Sequence, residues 1–223
     1  MSEQLFRAPS LRILYDPQRV TAISPEWLDA GFWRLRDGVK AELGGRGQAL
    51  QLETPVGPAV LRRYLRGGMA ARLSHDLFAF TGYTNSRAFI EWFALTRLLE
   101  RGLPVPRPLM ASCERHGLCY RAGILTELIP NARSLADAAG VLGEDDWRRL
   151  GLLLQRFFSA GMVHADLNAH NILVDAAGRW YLIDFDRARV LDRPARADRM
   201  LARLNRSLDK LGIKGHRDLL SAG

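Results

Sequence analysis

The decisive stretch is His164-Ala165-Asp166-Leu167-Asn168-Ala169-His170-Asn171-Ile172-Leu173, followed a short way on by Ile183-Asp184-Phe185-Asp186. A carboxylate such as Asp166 can orient and deprotonate an attacking hydroxyl. A second carboxylate with an amide oxygen, Asp184 with Asn171, supplies the hard oxygen ligands that Mg²⁺ prefers. Asp and Asn are also ordinary turn formers. Four fixed residue types at fixed offsets, however, arise by chance at only about one start in 10⁵.

The surroundings give this stretch a frame. Upstream, Glu144 to Ala160 carries Trp147, Leu150, Leu154 and Phe157 on one helical face and stops at Gly161. Downstream, Ile172–Val174 and Trp180–Ile183 predict a hairpin around Ala176-Ala177-Gly178. The two loops carrying the polar residues are placed at opposite ends of that hairpin. Further out, Val39–Leu43, Ala49–Glu53 and Ala59–Tyr64 read as three antiparallel strands with short turns. A helix over about Asn85–Arg101 sets Phe89, Ile90, Phe93, Ala94 and Leu98 at helical spacing and ends at Gly102 and Pro104. The alternating Pro104, Pro106 and Pro108 predict an extended connector. Strands over Leu109–Cys113 and Leu118–Thr126 follow, then a linker at Glu127–Asn131. A basic helix over Ala195–Lys210 closes the pattern. The fold expected is therefore α+β, with a strand-rich lobe over 1–127 and a helical lobe over 128–223. Ligand sites favour clefts between such lobes.

His164-x-Asp166-Leu167-x-x-x-Asn171 resembles the catalytic loop of protein-kinase-like phosphotransferases, and Asp184-Phe185-Asp186 resembles their metal-binding Asp-Phe-Gly. The resemblance implies a two-lobed kinase-like fold, with an antiparallel-sheet N-lobe and a short helical C-lobe. It makes Asp166 the residue that orients or deprotonates the acceptor hydroxyl. It makes Asn171 and Asp184 the Mg²⁺ ligands under the phosphates of ATP. Ala59-Val60-Leu61-Arg62 stands where the family has Val-Ala-Ile-Lys, so Arg62 takes the place of the phosphate-gripping lysine. Strand alternation points Val60, Arg62 and Tyr64 to one face and Arg63 to the other. An exposed edge-strand arginine fits the same pattern, and Arg63 is the second candidate cation. Glu91 is the expected partner of the cation; a surface pair with Arg87 at i, i+4 is its other reading. Gly44-Gly45-Arg46-Gly47 is placed as the phosphate-covering loop, although glycines mark any tight hairpin. Glu127 and Leu128 fall where the family's backbone meets adenine.

Three departures narrow the family. Arginine replaces lysine at 62, Asn168 replaces the catalytic-loop lysine of serine/threonine kinases, and Asp186 replaces glycine. Few residues remain after Asp186 for a peptide-docking lobe, and no Ala-Pro-Glu is present. With Val60-Leu61-Arg62-Arg63-Tyr64-x-Arg66-Gly67-Gly68, these features resemble the 3-deoxy-D-manno-octulosonic acid (Kdo) kinases of the lipopolysaccharide-core kinase family, over about residues 30–210. That resemblance implies ATP-dependent phosphorylation of the 4-hydroxyl of Kdo on Kdo-lipid A precursor, by a peripheral protein at the cytoplasmic face of the inner membrane. A heptose kinase of the same family, a small protein or small-molecule kinase, and a nucleotide-binding pseudokinase are the alternatives.

Composition agrees with an ordinary globular chain: 223 residues, 48% hydrophobic and 25% charged. These values exclude a disordered chain and a small disulfide scaffold. No apolar run reaches the ~18 residues of a membrane span, and the N-terminal residues do not read as a signal peptide. Cys113 and Cys119 have no metal-ligand spacing and read as small apolar residues flanking a turn in a reducing compartment. The net charge of +8 suits anionic partners, as does a genome biased toward arginine. Between Arg187 and Arg217 ten Lys/Arg face three acids, and Arg196, Arg199, Arg203, Arg206 and Lys210 recur at helical spacing. A second basic cluster, Arg62, Arg63, Arg66 and Arg72, contains no acid. Both are expected to meet an anionic membrane surface rather than nucleic acid, since no nucleic-acid module is recognisable.

Overall fold

The computed structural model describes residues 3–43, 49–65, 76–214 and 217–220. It divides into two units, one of residues 1–96 with 107–128, the other of residues 97–106 with 129–223. The connector at 97–106, assigned by sequence to the first lobe, groups with the second. There Arg97 Nη1 donates to Val190 O at 2.9 Å, and Leu182 N–H donates to Pro104 O at 3.2 Å.

The first unit contains β1 (Gln4–Arg7), β2 (Leu11–Tyr15), α1 (Ala30–Arg34), β3 (Val39–Leu43), β4 (Ala49–Thr54), β5 (Gly57–Arg63), β6 (Phe78–Ala79), the start of α2 (Arg87–Glu100), β7 (Pro108–His116) and β8 (Cys119–Glu127). Among the described residues these strands form one antiparallel sheet in the order β1-β2-β7-β8-β5-β4-β3, with β6 paired to β8. Alternation in β4 and β5 sends Leu50, Leu52, Ala59 and Leu61 to one face, where they join Ile13, Trp27, Trp33, Met110 and Leu125 in the core. Arg62 and Tyr64 point to the other face. β8 is buried without a break from Ala122 to Thr126, as a central strand covered on both faces should be. Cys113 lies buried in β7, and burial pushes its thiol up to about 11 against an opposing hydrogen bond to Ser86.

α2 buries Ala88, Phe89, Trp92, Leu95 and Leu98. Phe93, expected on that stripe, is 36% exposed. The buried face is centred on Trp92 and Leu95, and Phe93 lies one residue, about 100°, away from Trp92.

The second unit contains β9 (Arg133–Ser134), α3 (Leu135–Ala138), α4 (Glu144–Ser159), β10 (Met162–Val163), β11 (Ile172–Val174), β12 (Trp180–Leu182), β13 (Arg189–Val190) and α5 (Asp198–Lys210). α4 opens with Glu144, Asp145 and Asp146, the charge preferred at a helix N-terminus. The Asp146 carboxylate accepts the N–H of Gly143 at 3.0 Å. Trp147, Leu150, Leu154 and Phe157 are all buried. Gly161 ends the helix segment with φ +76°, and a Cβ there would lie 2.2 Å from Leu191 O, so only glycine fits. α5 begins at Asp198, three residues later than the charge pattern suggests, and buries Met200, Leu204 and Leu208. Among the described residues no helix is long and apolar enough to cross a membrane.

Candidate active site

The hairpin of β11 and β12 positions the candidate catalytic residues. Its antiparallel register pairs Ile172 with Leu182. One step further out, Ile183 N–H donates to Asn171 O at 3.0 Å. Asn171 and Asp184 therefore lie at the same open end of the hairpin, away from the Ala176–Gly178 turn. This corrects the expectation of opposite ends: antiparallel pairing returns the chain to where it entered.

The loop before β11 is fixed by a dense set of local bonds. Asn168 Oδ1 accepts the N–H groups of His170 and Asn171 at 2.9 and 3.2 Å, in the manner of an Asx turn. Its Nδ2 donates to Asp166 O and to Asp166 Oδ2, at 3.1 and 3.0 Å. Asn171 Nδ2 donates to Asp166 O at 2.9 Å. Leu167, Ala169 and Ile172 are buried between these polar positions. Asn168, which stands where serine/threonine kinases have lysine, thus works as an internal brace of the loop.

His164 joins this loop to the Asp184 segment. Its Nδ1 accepts Asp166 N–H at 3.1 Å and its Nε2 lies 3.0 Å from Ile183 O. These partners assign the neutral tautomer with the proton on Nε2. Burial pushes the imidazole below its usual range, so the ring stays neutral, although the Ile183 carbonyl and nearby aspartates oppose that shift. The ring packs against Phe185, which is fully buried, with centroids 4.9 Å apart. Asp184 itself has φ +67°, a left-handed conformation uncommon for any residue but glycine. Such backbone strain persists where the surroundings fix it, and it is common at functional sites.

Asp166 is exposed, and its Oδ1 lies 3.0 Å from Nη1 of Arg203 on α5. Sequence reading placed Arg203 only in the basic stripe. The contact joins residues 37 positions apart, and no local pattern announces it.

In the first unit, Arg62 forms an ion pair with Glu91 Oε2, and the Tyr64 hydroxyl donates to the same oxygen. The Glu91 side chain is 4% exposed and that of Arg62 22%. A solvated surface position for Glu91 is thereby overturned. The Arg87 guanidinium lies over the Phe78 ring. Arg63, on the opposite face of β5, pairs with Asp76, which Arg121 also contacts. The acid-free cluster around Arg62 and Arg63 in sequence thus meets Glu91 and Asp76 in the fold.

Glu127 ends β8 with its carboxylate 2.8 Å from Arg19 Nε. Its N–H donates to Arg107 O, and Leu128 N–H donates to Pro58 O. Both amides are engaged within the first unit. Gly44, Gly45, Arg46 and Gly47, expected to cover phosphates, lie outside the described residues, as do Arg66 and Arg72.

The donor set at the hairpin end fits Mg²⁺. Asn171 Nδ2 is committed to Asp166 O, which leaves the amide oxygen, and the Asp184 side chain is a carboxylate, the hard oxygen donor that Mg²⁺ prefers. Among the described residues no cluster of three His, Cys, Asp or Glu could hold a metal unaided. Two oxygen donors suit a cation whose other ligands are phosphate and water.

The pattern of the "Lipopolysaccharide kinase (Kdo/WaaP) family" matches residues 30–220. Proteins named 3-deoxy-D-manno-octulosonic acid kinase from Stenotrophomonas maltophilia (strain R551-3) and Xanthomonas euvesicatoria pv. vesicatoria (strain 85-10) are each 48% identical over 202 residues. The protein of the same name from Xanthomonas campestris pv. campestris (strain B100) is 49% identical over the same length. Each alignment covers 89% of this chain and 80% of the relative. A match over residues 30–220, with relatives 48–49% identical over 89% of the chain, places the chain in the lipopolysaccharide kinase (Kdo/WaaP) family.

Proposed function

We propose that this protein is a Kdo kinase that transfers the γ-phosphoryl group of ATP to the 4-hydroxyl of Kdo on Kdo-lipid A precursor. The observation that carries the reading is the collection of Asp166, Asn171 and Asp184 about one hairpin end, in a chain 48% identical to Kdo kinases. Asp166 accepts the hydroxyl proton as the acceptor oxygen forms its bond to the γ-phosphorus. The bond from that phosphorus to the β–γ bridging oxygen breaks, and ADP leaves. Asn171 and Asp184 would hold Mg²⁺, which would supply neutralisation of charge on the transferring phosphoryl group. Arg62 grips the nucleotide phosphates, and Glu91 and Tyr64 set the direction of its guanidinium. Because a guanidinium is planar and forked, holding one edge fixes the direction of the other donors.

The protein works at the cytoplasmic face of the inner membrane, bound peripherally. Arg199, Arg206 and Lys210 lie on the exposed face of α5, opposite buried Met200, Leu204 and Leu208. Each cation near an anionic lipid surface contributes about 1 kcal/mol.

The test is transfer of label from γ-labelled ATP to Kdo-lipid A precursor, to heptosylated core, or to a generic protein substrate. Label on the precursor, mapped to the 4-position by NMR, supports the reading. Label on the heptosylated core alone moves the protein to a heptose kinase, and label on protein alone removes it from lipopolysaccharide chemistry.

A further inference from the structure

Arg203 holds a position that neither stability nor loop bracing explains. Its guanidinium lies 3.0 Å from Asp166 Oδ1 while Asn168 takes Oδ2, so both oxygens of the proposed proton acceptor have donors. The pair is about half exposed, 48% and 56%. Ion pairs so exposed add at most about 1 kcal/mol to stability. The approach is nonetheless built into the fold. On α5, His164 N–H lies 3.2 Å from Met200 Sδ and Ala169 N–H donates to Ser207 Oγ at 3.1 Å. These contacts bracket Arg203, and buried Leu204 beside it fixes the helix rotation.

A guanidinium has five N–H donors in a planar fork, and the bond to Asp166 Oδ1 uses one edge in part. The fork matches a carboxylate with two parallel hydrogen bonds. Resting on the proposed function, we infer that Arg203 binds the carboxylate of the acidic acceptor sugar and so determines acceptor specificity. Kdo is an acid, and its carboxylate belongs to the same sugar as the hydroxyl that receives phosphate. When that carboxylate engages Arg203, the guanidinium turns from Asp166, and Oδ1 becomes available to the hydroxyl. A neutral sugar offers no anion and leaves the pair closed. The cation absent at Asn168 is thereby supplied from α5, with its role directed to the acceptor.

The experiment compares kcat/KM for Kdo-lipid A precursor with that for the same compound carrying its Kdo carboxyl as the methyl ester. The wild-type enzyme should favour the acid by about 100-fold, the scale of charge-assisted hydrogen bonds. Arg203→Ala should fall on the acid and rise on the ester, where Asp166 Oδ1 is no longer held, bringing the ratio near one, with KM for ATP unchanged. Arg203→Lys should keep an intermediate ratio, because it retains charge without the fork. It also decides the matter if the alanine variant fails to fold. An acid-to-ester ratio that persists in the variants overturns the inference alone. So does a loss expressed through KM for ATP, which would assign Arg203 to the nucleotide phosphates. A wild-type enzyme that labels neither acceptor overturns the proposed function together with the inference.

Discussion

Replacing Arg62 by alanine should separate the structural and catalytic consequences of one ion pair. Glu91 is 4% exposed at its side chain, and the Tyr64 hydroxyl that shares its Oε2 carries no charge. Taking away the guanidinium strips a buried carboxylate of a cation seated on it. Breaking such a pair from one side typically costs about 3–5 kcal/mol. At about 2–4 °C per kcal/mol for a chain of this length, Tm should fall by about 6–20 °C. Glu91→Leu should cost less, since Arg62 is 22% exposed and can turn its head to water. The double variant Arg62→Met/Glu91→Leu removes both charges and should recover much of the stability lost by Arg62→Ala, because an apolar pair of similar volume is often neutral or better. Activity should not recover. All three variants should show strongly reduced kcat/KM for ATP, the double little worse than the worse single, as expected of residues acting as one unit. Thermal melts and steady-state kinetics on the same preparations decide it. An unchanged Tm for Arg62→Ala, or strictly additive losses in both quantities, would refute the reasoning and turn attention to Arg63.

Asp166→Ala should fold normally, being exposed, and lose at least about 10²–10⁴-fold in kcat; near-normal turnover would remove Asp166 from the chemistry. Asp184→Asn should weaken use of MgATP more than binding of ATP in the presence of chelator, since an amide cannot replace the charge of the carboxylate; equal losses in the two titrations would count against a metal role. His164 is buried with its pKa below the usual value of 6.5. The unfolded chain therefore binds more protons than the folded one as pH falls through that value. The His164 contribution to stability is fully present above about pH 6.5 and is lost on acidification toward the folded pKa; denaturation curves at several pH values should show this, and His164→Asn should flatten that part of the profile. Gly151→Ala reverses the usual helix preference for alanine, because the new Cβ would lie 2.2 Å from Leu219 O; Tm should fall by the equivalent of about 1–3 kcal/mol, whereas a rise would mean that the 217–220 turn can move aside at little cost.

The catalytic loop was legible because its chemistry is local: Asp166, Asn168 and Asn171 bond to one another within six residues. Arg62 and Glu91 stand 29 residues apart, yet strand alternation and the family resemblance together point to both. β1 and β2 were missed for a physical reason. β2 pairs with β7, almost a hundred residues later in the chain, and nothing in Leu11–Tyr15 announces a partner so distant. Phe93 shows the limit of periodicity: spacing proposes a stripe, but the centre of the buried face depends on which neighbours arrive. The hairpin ends show a different limit. The residue pattern of Ile172–Val174 and Trp180–Leu182 marks two strands, whereas the end at which their loops meet depends on the antiparallel pairing.

Arginine makes up all but three of the 32 Lys and Arg residues, and that bias alone reads as a property of the genome. The site gives it a physical use. Arg62 stands where protein-kinase-like enzymes have lysine, and Arg203 approaches the carboxylate bonded to Asn168, which stands where serine/threonine kinases have lysine. In both places one guanidinium edge is held by a carboxylate of the protein. A lysine so held keeps donors that rotate about a single point, with no preferred direction for a second anion. A guanidinium so held keeps further donors in a fixed plane. On the proposed reading, Glu91 directs the guanidinium of Arg62 toward the nucleotide phosphates, and Asp166 holds that of Arg203 until the acceptor carboxylate draws it away. On that reading, a kinase-like chain can do without both lysines while keeping its aspartates and asparagine in place.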